Sequence, residues 1–341
     1  MKEKNKIKIF ISGGAGFIGS NFILYMMNKY PNYQIVNFDK LTYAGNLTNL
    51  KEVENNPNYE FIKGDICNPE EVKSAMTDCD WVVHFAAESH VDRSIMDPDT
   101  FVKTNILGTG VLLRIAKELD IKRFHHISTD EVFGELGAEG KFTEKTPYDP
   151  RSPYSAAKAS SDHLARAYFH TFKLPITISN CSNNYGPYQF PEKFIPLFAT
   201  NLIENKKIPL YGEGLNIRDW IHVDDHSRAL DLILHQGQMG ETYCLGGDAE
   251  KTNLEITNLI LEYFDKGDEM IEKVPDRKGH DFRYAIDFSK IKNELGWEPK
   301  VNFKEGLEKT LKWYQDNQEW WQKIKSGEYE KYYEKQYTNR K

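Results

Sequence analysis

Two short stretches of the chain carry side chains spaced for proton transfer. In ISTDEVFGE (127–135) an apolar run ends in Thr129, Asp130 and Glu131. Two neighbouring carboxylates where a buried strand emerges are costly if desolvated, so they are either solvated or employed. In YSAAK (154–158), Tyr154 and Lys158 stand at i and i+4, on one face of a helical turn. A tyrosine hydroxyl has an ordinary pKa of about 10, and an ammonium one turn away favours the phenolate. Lys158 is therefore expected to bring Tyr154 into the working range of a base. A Y-x-x-x-K pattern alone arises by chance on many helices. Its weight depends on what surrounds it.

What surrounds it is an alternation of strands and helices. Short β-rich runs occur at IKIFI (7–11), YQIVNF (33–38), YEFIK (59–63), WVVHF (81–85), FHHIS (124–128) and ITISNC (176–181). Helix-period segments lie between them, among them SNFILYMMNKY (20–30) and GVLLRIAKEL (110–119). This βαβ rhythm predicts an α/β fold of Rossmann type, a doubly wound parallel sheet with ligands at the carboxyl ends of its strands. After about residue 183 the rhythm breaks in a turn-rich, aromatic segment holding Pro187, Pro191, Pro196 and Pro209. A smaller, mixed α/β substrate-binding lobe is expected there. The predicted division is 1–183 plus about 219–246 for the first domain, about 184–218 plus 247–325 for the second, and 326–341 as a tail. The aromatic, charged segment from Leu311 onward suits a surface helix docking its rings on the body.

SGGAGFIGS follows the first strand and opens a helix, with Gly13, Gly16 and Gly19 spaced three apart. In a dinucleotide fingerprint Gly13 permits the tight turn, Gly16 admits the pyrophosphate, and Gly19 lets helix and strand pack closely. The helix N-terminus then offers N–H groups and partial positive charge to the phosphates. Asp39, twenty residues after Gly19, ends the second strand. A carboxylate there accepts from the ribose hydroxyls and repels a 2′-phosphate, favouring NAD over NADP, with Lys40 as a neighbouring cation that softens the preference. Asp65 and Ile66, after the third strand, are candidates for the adenine edge.

Composition narrows the classes further. The net charge of -7 argues against nucleic-acid binding, which needs a basic face. Four scattered cysteines lack ligand spacing and read as buried thiols in a reducing cytosol rather than a disulfide framework. The start, MKEKNKIKIFISGG, has an apolar run too short for a signal-peptide core, and no window approaches a membrane span, so a cytoplasmic location is expected. His84, His125 and His126 lie in apolar strands and read as hydrogen-bonded core residues. Asp224, Asp225 and His226 read as a helix start, and no metal site is expected.

Glycine turn, Asp39, Thr129 and Tyr154-x-x-x-Lys158 together resemble the extended short-chain dehydrogenase/reductases. Within them DKLTYAGN (39–46), AAESHVDRS (86–94), STDEVFG (128–134), NNYGPYQFPEK (183–193), RDW (218–220) and DRKGHDFRYAID (276–287) resemble the dTDP-glucose 4,6-dehydratase family, from the first strand to about residue 315. The resemblance implies NAD as cofactor, a dTDP-sugar substrate, a deoxysugar pathway such as that to rhamnose, and a homodimer built through helices near 100–118 and 155–171. It makes Glu131 the base at C5, Asp130 the acid for the departing C6 hydroxyl, and Tyr154 the base at the C4 hydroxyl. Thr129 bonds the C4 oxygen and Lys158 the nicotinamide ribose. On the NAD side it adds Phe17, Ile18, Thr42, Ala87, Ser89, Thr104 and Asn184. For the substrate it points to Glu88, Asn183, Asn253 and His280, with Pro209 and Tyr211 near the base. Arg218 and Arg277, helped by Lys193, are the cations expected at the diphosphate, where a guanidinium fork matches phosphate oxygens. Lys278 stands where many members carry proline, in the expected substrate loop, and bears on fine specificity.

Three other readings share parts of this pattern. A nucleotide-sugar 4-epimerase keeps the threonine, tyrosine and lysine but has no use for the acid pair. A dehydratase for a CDP-, GDP- or UDP-sugar keeps the pair and differs in the base pocket. A regulatory NAD sensor keeps the glycines without needing Tyr154, Lys158, Asp130 and Glu131 together. Fold alone does not separate them.

Overall fold

The computed structural model describes residues 6–276 and 280–326. Its main sheet has seven strands, in the order β10-β6-β5-β4-β1-β2-β3. These are β1 (Lys8–Ser12), β2 (Gln34–Asp39), β3 (Tyr59–Lys63), β4 (Trp81–His84), β5 (Arg123–Thr129), β6 (Ile176–Cys181) and β10 (Thr242–Leu245). All neighbours pair in parallel. The first six follow the doubly wound order, so the reversal of direction lies between β1 and β4, where such sheets open a crevice at their carboxyl ends.

The six anticipated strands form within one or two residues of their apolar runs, because strands buried on both faces are near-continuous in Val, Ile and Phe. Helices cover both faces. Phe22, Ile23 and Met26 of the helix Phe17–Lys29 join Ile9 and Ile11 in one core, together with Leu230 and Ile233 of the helix Val223–Gln236. On the other face Leu112, Leu113 and Ala116 of the helix Thr109–Glu118 pack with Phe10, Val36 and Phe124. That helix continues a π-helical turn over Val102–Gly108, a geometry often found beside functional sites.

Five further strands stand apart. β7 (Asn183–Tyr185), β9 (Ile217–His222) and β11 (Glu250–Thr252) form one small sheet, and β8 (Ile208–Tyr211) pairs with β12 (Ile271–Val274). With the helices Phe194–Ile203, Asn253–Tyr263, Phe303–Asp316 and Gln318–Lys325 they share a separate core around Trp220, Ile256, Leu307 and Trp321. The stretch expected to rejoin the main sheet splits: β10 does so, whereas β9 pairs with β7 and β11. Asp224, Asp225 and His226 lie in the first turn of the helix Val223–Gln236. Aromatic rings of the last helices dock inward, with the Tyr314 hydroxyl donating to the Gln189 carbonyl and the Trp320 indole to Asn49.

Among the described residues no helix is long and apolar enough to cross a membrane. No group of three or more potential metal ligands occurs among them either. All four cysteines are free thiols. The strand histidines are bonded in place: His84 bridges Ser12 and Thr109, and His125 bridges Thr177 and Ser179.

Candidate active site

The chain leaves β1 and turns at Gly13, whose φ of +75° suits glycine. A Cβ at Gly13 would lie 2.5 Å from the Ala86 backbone nitrogen, and one at Gly19 only 2.4 Å from the Gly13 carbonyl oxygen. Both glycines are required by the fold itself. Gly16 is different: a Cβ there meets nothing closer than 3.4 Å, and the residue lines the main cavity. Its bareness leaves space for a ligand at a helix N-terminus, where the first N–H groups lack intrahelical partners. Gly14, which spacing does not single out, is as constrained as Gly13, since its Cβ would meet Asn37 Oδ1 at 2.3 Å.

Asp39 sits at the end of β2 and closes this turn. Its Oδ2 accepts from the Ala15 N–H at 2.9 Å and its Oδ1 from the Leu41 N–H at 2.8 Å. Burial holds the carboxyl above its usual range, with these two donors pulling the other way. Lys40 is committed elsewhere, ion-paired with Asp65 at 2.8 Å. Burial raises Asp65, but Lys40 outweighs it and leaves the carboxyl below its ordinary value.

One cavity of about 510 Å³ opens along the carboxyl ends of the strands. It is lined by Gly13, Gly16, Phe17, Ile18, Gly19, Asp39, Lys40, Thr42, Asp65, Ile66, Ala87, Ser89, Thr104, Tyr154, Lys158 and Asn184, the whole set anticipated on the cofactor side. It continues past Glu88, Thr129, Asp130, Glu131, Asn183 and Lys193. A glycine cradle at a helix N-terminus with a carboxylate at the next strand end fits the phosphates and ribose of a dinucleotide.

Local sequence positions the chemical groups. Ser152 caps the helix Pro153–Phe172 in a reciprocal box with Ser155, and Pro153 starts it, so Tyr154 and Lys158 are fixed in the first two turns. At the end of β5 the Thr129 hydroxyl accepts from the Glu131 N–H at 3.3 Å and caps the 3-10 turn Asp130–Phe133, which closes on Gly134 at φ +82°. Asp130 is 2% exposed. Its Oδ1 accepts from Thr129 at 3.2 Å, and its Oδ2 finds no hydrogen-bond partner. Burial first, then the charges of Glu131 and Asp219, push the Asp130 carboxyl well above the carboxylate range. That direction suits the acid member of an acid–base pair.

Tyr154 is buried at the cavity. Burial and the Glu131 charge push its hydroxyl above the ordinary value, although a hydrogen bond with Thr129 pulls it down. The Lys158 ammonium donates to the Ile127 carbonyl at 2.7 Å, and burial lowers its own pKa. Helical spacing brings the two residues to one cavity.

The remaining anticipated residues that the structure describes lie outside the cavity lining, in the smaller lobe. Arg218 is buried, donating to the carbonyls of Ile217, Asp281 and Phe282 and stacking 4.2 Å over the Tyr284 ring. Asn253 opens a helix beside it, its N–H bonded to the Asn216 carbonyl. Pro209 and Tyr211 are on β8; the Tyr211 hydroxyl donates to Asp92 at 3.1 Å, and its ring meets that of His280. His280 Nδ1 is 2.6 Å from Asp276. Arg277 and Lys278 lie outside the described residues.

Several neighbours of the site escape a reading by motif. Asn105, on the π-helical turn, clasps the Glu88 peptide with both ends of its amide, accepting from its N–H at 2.9 Å and donating to its carbonyl at 3.0 Å. Only its place beside Thr104 on an otherwise apolar face hints at this. Cys181 reaches the cavity with its thiol pushed up by burial to about 12. Arg93 holds the buried Glu192 at 2.9 Å and stacks 3.9 Å from the Tyr43 ring, joining three segments at the cavity rim.

Comparison with known proteins agrees with this geometry. The model of the GDP-mannose 4,6 dehydratase family matches residues 10–310. A dTDP-glucose 4,6-dehydratase of Streptomyces niveus is 48% identical over 324 residues, covering 94% of this chain and 96% of that protein. The chain belongs to the dTDP-glucose 4,6-dehydratase family. The crystal structure of a member from Streptomyces venezuelae with NAD bound shares the fold at a TM-score of 0.92 and 46% identity, covering 93% of this chain and 100% of that one. A UDP-glucose 4-epimerase from Thermotoga maritima follows at a TM-score of 0.85 and 29% identity, covering 92% and 100%. The dehydratase and epimerase families thus share one scaffold.

Gly19→Ala is expected to cost about 1–3 kcal/mol of stability in urea denaturation, because backbone must move. Gly16→Ala is expected to stay within about 0.5 kcal/mol of the parent yet weaken dinucleotide binding about tenfold, roughly 1.4 kcal/mol, by titration calorimetry. Equal stability losses in both would contradict the separate roles. Asp130 supplies a second expectation. Its folded pKa lies above the unfolded value of 3.8, so its contribution to stability is present below that value and lost as pH rises through it, by about 1.4 kcal/mol per unit. Asp130→Asn removes that loss. The variant should melt higher than the parent at pH 7, with the advantage shrinking toward pH 3.

Proposed function

We propose that the protein is an NAD-dependent hydro-lyase converting dTDP-glucose to dTDP-4-keto-6-deoxyglucose and water. The observation that carries this reading is the Asp130–Glu131 pair, delivered by the end of β5 into the same cavity as Tyr154, Lys158 and the glycine turn. Gly13, Gly16, Gly19 and Asp39 would hold the dinucleotide. When bound, NAD supplies the hydride acceptor at C4, the donor at C6 and the formal positive charge of its nicotinamide ring.

Tyr154 takes the proton of the C4 hydroxyl as the C4–H bond breaks, with Thr129 hydrogen-bonded to the oxygen. The resulting 4-ketone acidifies C5–H, and Glu131 removes that proton. Asp130, kept neutral by burial, protonates the C6 hydroxyl, which leaves as water and creates the C5–C6 double bond. Return of hydride to C6 and of a proton to C5 completes a cycle with no net redox change. One acid and one base at adjacent positions thus serve adjacent carbons. A 4-epimerase has no step that needs them.

On the substrate side, Glu88, Asn183 and Lys193 would approach from the cavity, and Pro209, Tyr211, Asn253, His280 and Arg218 from the smaller lobe, with Arg277 as a further cation for the diphosphate. We assign residues 1–183 and the part of 219–246 beyond β9 to the cofactor unit. Residues 184–218, β9 and 247–325 go to the substrate unit. The free thiols favour the cytosol as compartment, which cell fractionation tests. A homodimer is favoured by exposed apolar side chains on the segment 95–107, including Val102 at 47% and Leu107 at 61%. The neighbouring helix presents the small residues Ala156 and Ala167. Sedimentation should give a dimer for the parent and a monomer for Leu107→Glu; a monomeric parent at micromolar concentration excludes the dimer.

Incubation with dTDP-, UDP-, CDP- and GDP-glucose tests the reaction by its 4-keto-6-deoxy product. Preference for another nucleotide reassigns the base, and no product from any overturns the reading. The double variant Asp130→Asn, Glu131→Gln should lose dehydration by about 10²–10⁴-fold while still oxidising C4 slowly and accumulating reduced cofactor. An unchanged dehydration rate removes both residues from the mechanism.

A further inference from the structure

We propose that Asp162 is a positioning residue, whose buried carboxylate supplies the countercharge of Lys158 and ties the lysine's helix to the strand carrying Thr129 and Asp130. The inference rests on the reading of Lys158 as part of the working site. Asp162 lies one turn beyond Lys158 on the helix Pro153–Phe172, and both are buried, at 0% and 5% exposure. No step of the dehydration calls on it.

One oxygen of its carboxylate is nonetheless surrounded by donors. Oδ2 accepts from the Ser128 hydroxyl at 2.8 Å, the Tyr148 hydroxyl at 2.8 Å and the Asn180 amide at 3.3 Å. Oδ1 lies 3.1 Å from His126 Nε2. The same Asn180 amide donates to the Thr129 carbonyl at 3.1 Å. Lys158 grips the adjacent position of the strand, at the Ile127 carbonyl. Lysine and aspartate therefore hold Ile127 and Ser128, and Asn180, bonded to the aspartate, holds Thr129, directly before the acid pair.

A buried carboxylate is costly unless paired and hydrogen-bonded, and a buried ammonium equally so. The groups that act on Lys158 come from every element around it: Asp162 from its own helix, His126 from β5, His84 from β4 and Cys181 from β6. Burial keeps both histidines neutral and pushes the Cys181 thiol up to about 12. Burial also pushes Asp162 up, but His126, Lys158 and Ser128 outweigh it and hold the carboxyl below its usual value. Among these groups Asp162 is the one that is negative at neutral pH. It opposes the desolvation that would strip Lys158 of its proton.

The test is Asp162→Asn in the full chain, with Asp162→Glu as the charge-retaining control. Without the countercharge Lys158 loses its proton at lower pH, so the alkaline limb of kcat/KM should move down by about one to three pH units. In Asp162→Glu it should stay in place. A second readout is independent of activity. Between pH 7 and 10 the unfolded lysine keeps the proton that the variant's folded lysine has released. The folding equilibrium constant of Asp162→Asn should then rise relative to the parent by up to about tenfold per pH unit, measured by denaturant titration. An alkaline limb and a pH–stability curve that both parallel the parent overturn the proposal. Should Asp162→Asn not fold, an alkaline limb displaced in Asp162→Glu by a unit or more overturns it instead. If the parent forms no 4-keto product, the dehydratase reading fails, and the stability comparison still decides the role of Asp162.

Discussion

Charge buried at the carboxyl ends of a parallel sheet is the constraint to which the other features answer. Asp130 has one oxygen bonded to Thr129 and the other without a partner, beside Glu131 and the buried Asp219. Burial raises Asp219 too, to about 6, against the N–H groups of Gly247 and Ala249 that bond it. Three carboxyl groups in so small a volume do not all ionise together. Burial and the charges of Glu131 and Asp219 raise Asp130 well above the carboxylate range. Arg218, the cation acting on Asp130, is stacked on Tyr284 and anchored to three carbonyls, close enough to temper the acids without neutralising them.

The scaffold converts this local cost into directed chemistry. Capping by Ser152 and Ser155 fixes the start of the helix that carries Tyr154 and Lys158, while the Thr129 hydroxyl fixes the turn that carries the acids. The two elements meet through Lys158 on Ile127 and Asp162 on Ser128. The cavity floor is held by hydrogen bonds between elements rather than by a flexible loop, which suits a reaction whose successive steps act on three neighbouring carbons in one pose.

Much of this was legible in the chain, and the exceptions share a cause. Apolar runs marked six of the seven main strands because their burial is local and continuous. β10 was missed: TYCL is four residues long and exists through its pairing with β6. The glycine spacing foretold the turn, and each glycine has a distinct steric reason to be there, although Gly14 carries a constraint that no spacing shows. Helical periodicity put Tyr154 and Lys158 on one face but said nothing of the Ile127 carbonyl that takes the ammonium. The guanidinium of Arg218 suits phosphate by type, while its bonds to the carbonyls of Asp281 and Phe282 join segments far apart in sequence. Asn105 on the Glu88 backbone and Asp162 on the Asn180 side chain are tertiary contacts with no local signature. Patterns report which residues share a face; they do not report which partner desolvation makes each one choose.

The turn after Thr129 has one more implication. Its backbone is shaped by a threonine hydroxyl, a left-handed glycine and the apolar anchors Val132 and Phe133. The two carboxyl groups ride on it as passengers. On the proposed roles, a lineage could gain or shed the elimination step by changing two side chains, with sheet, cradle and hydride chemistry inherited intact. Lyases and isomerases sharing such a scaffold show chemical diversification without refashioning the fold.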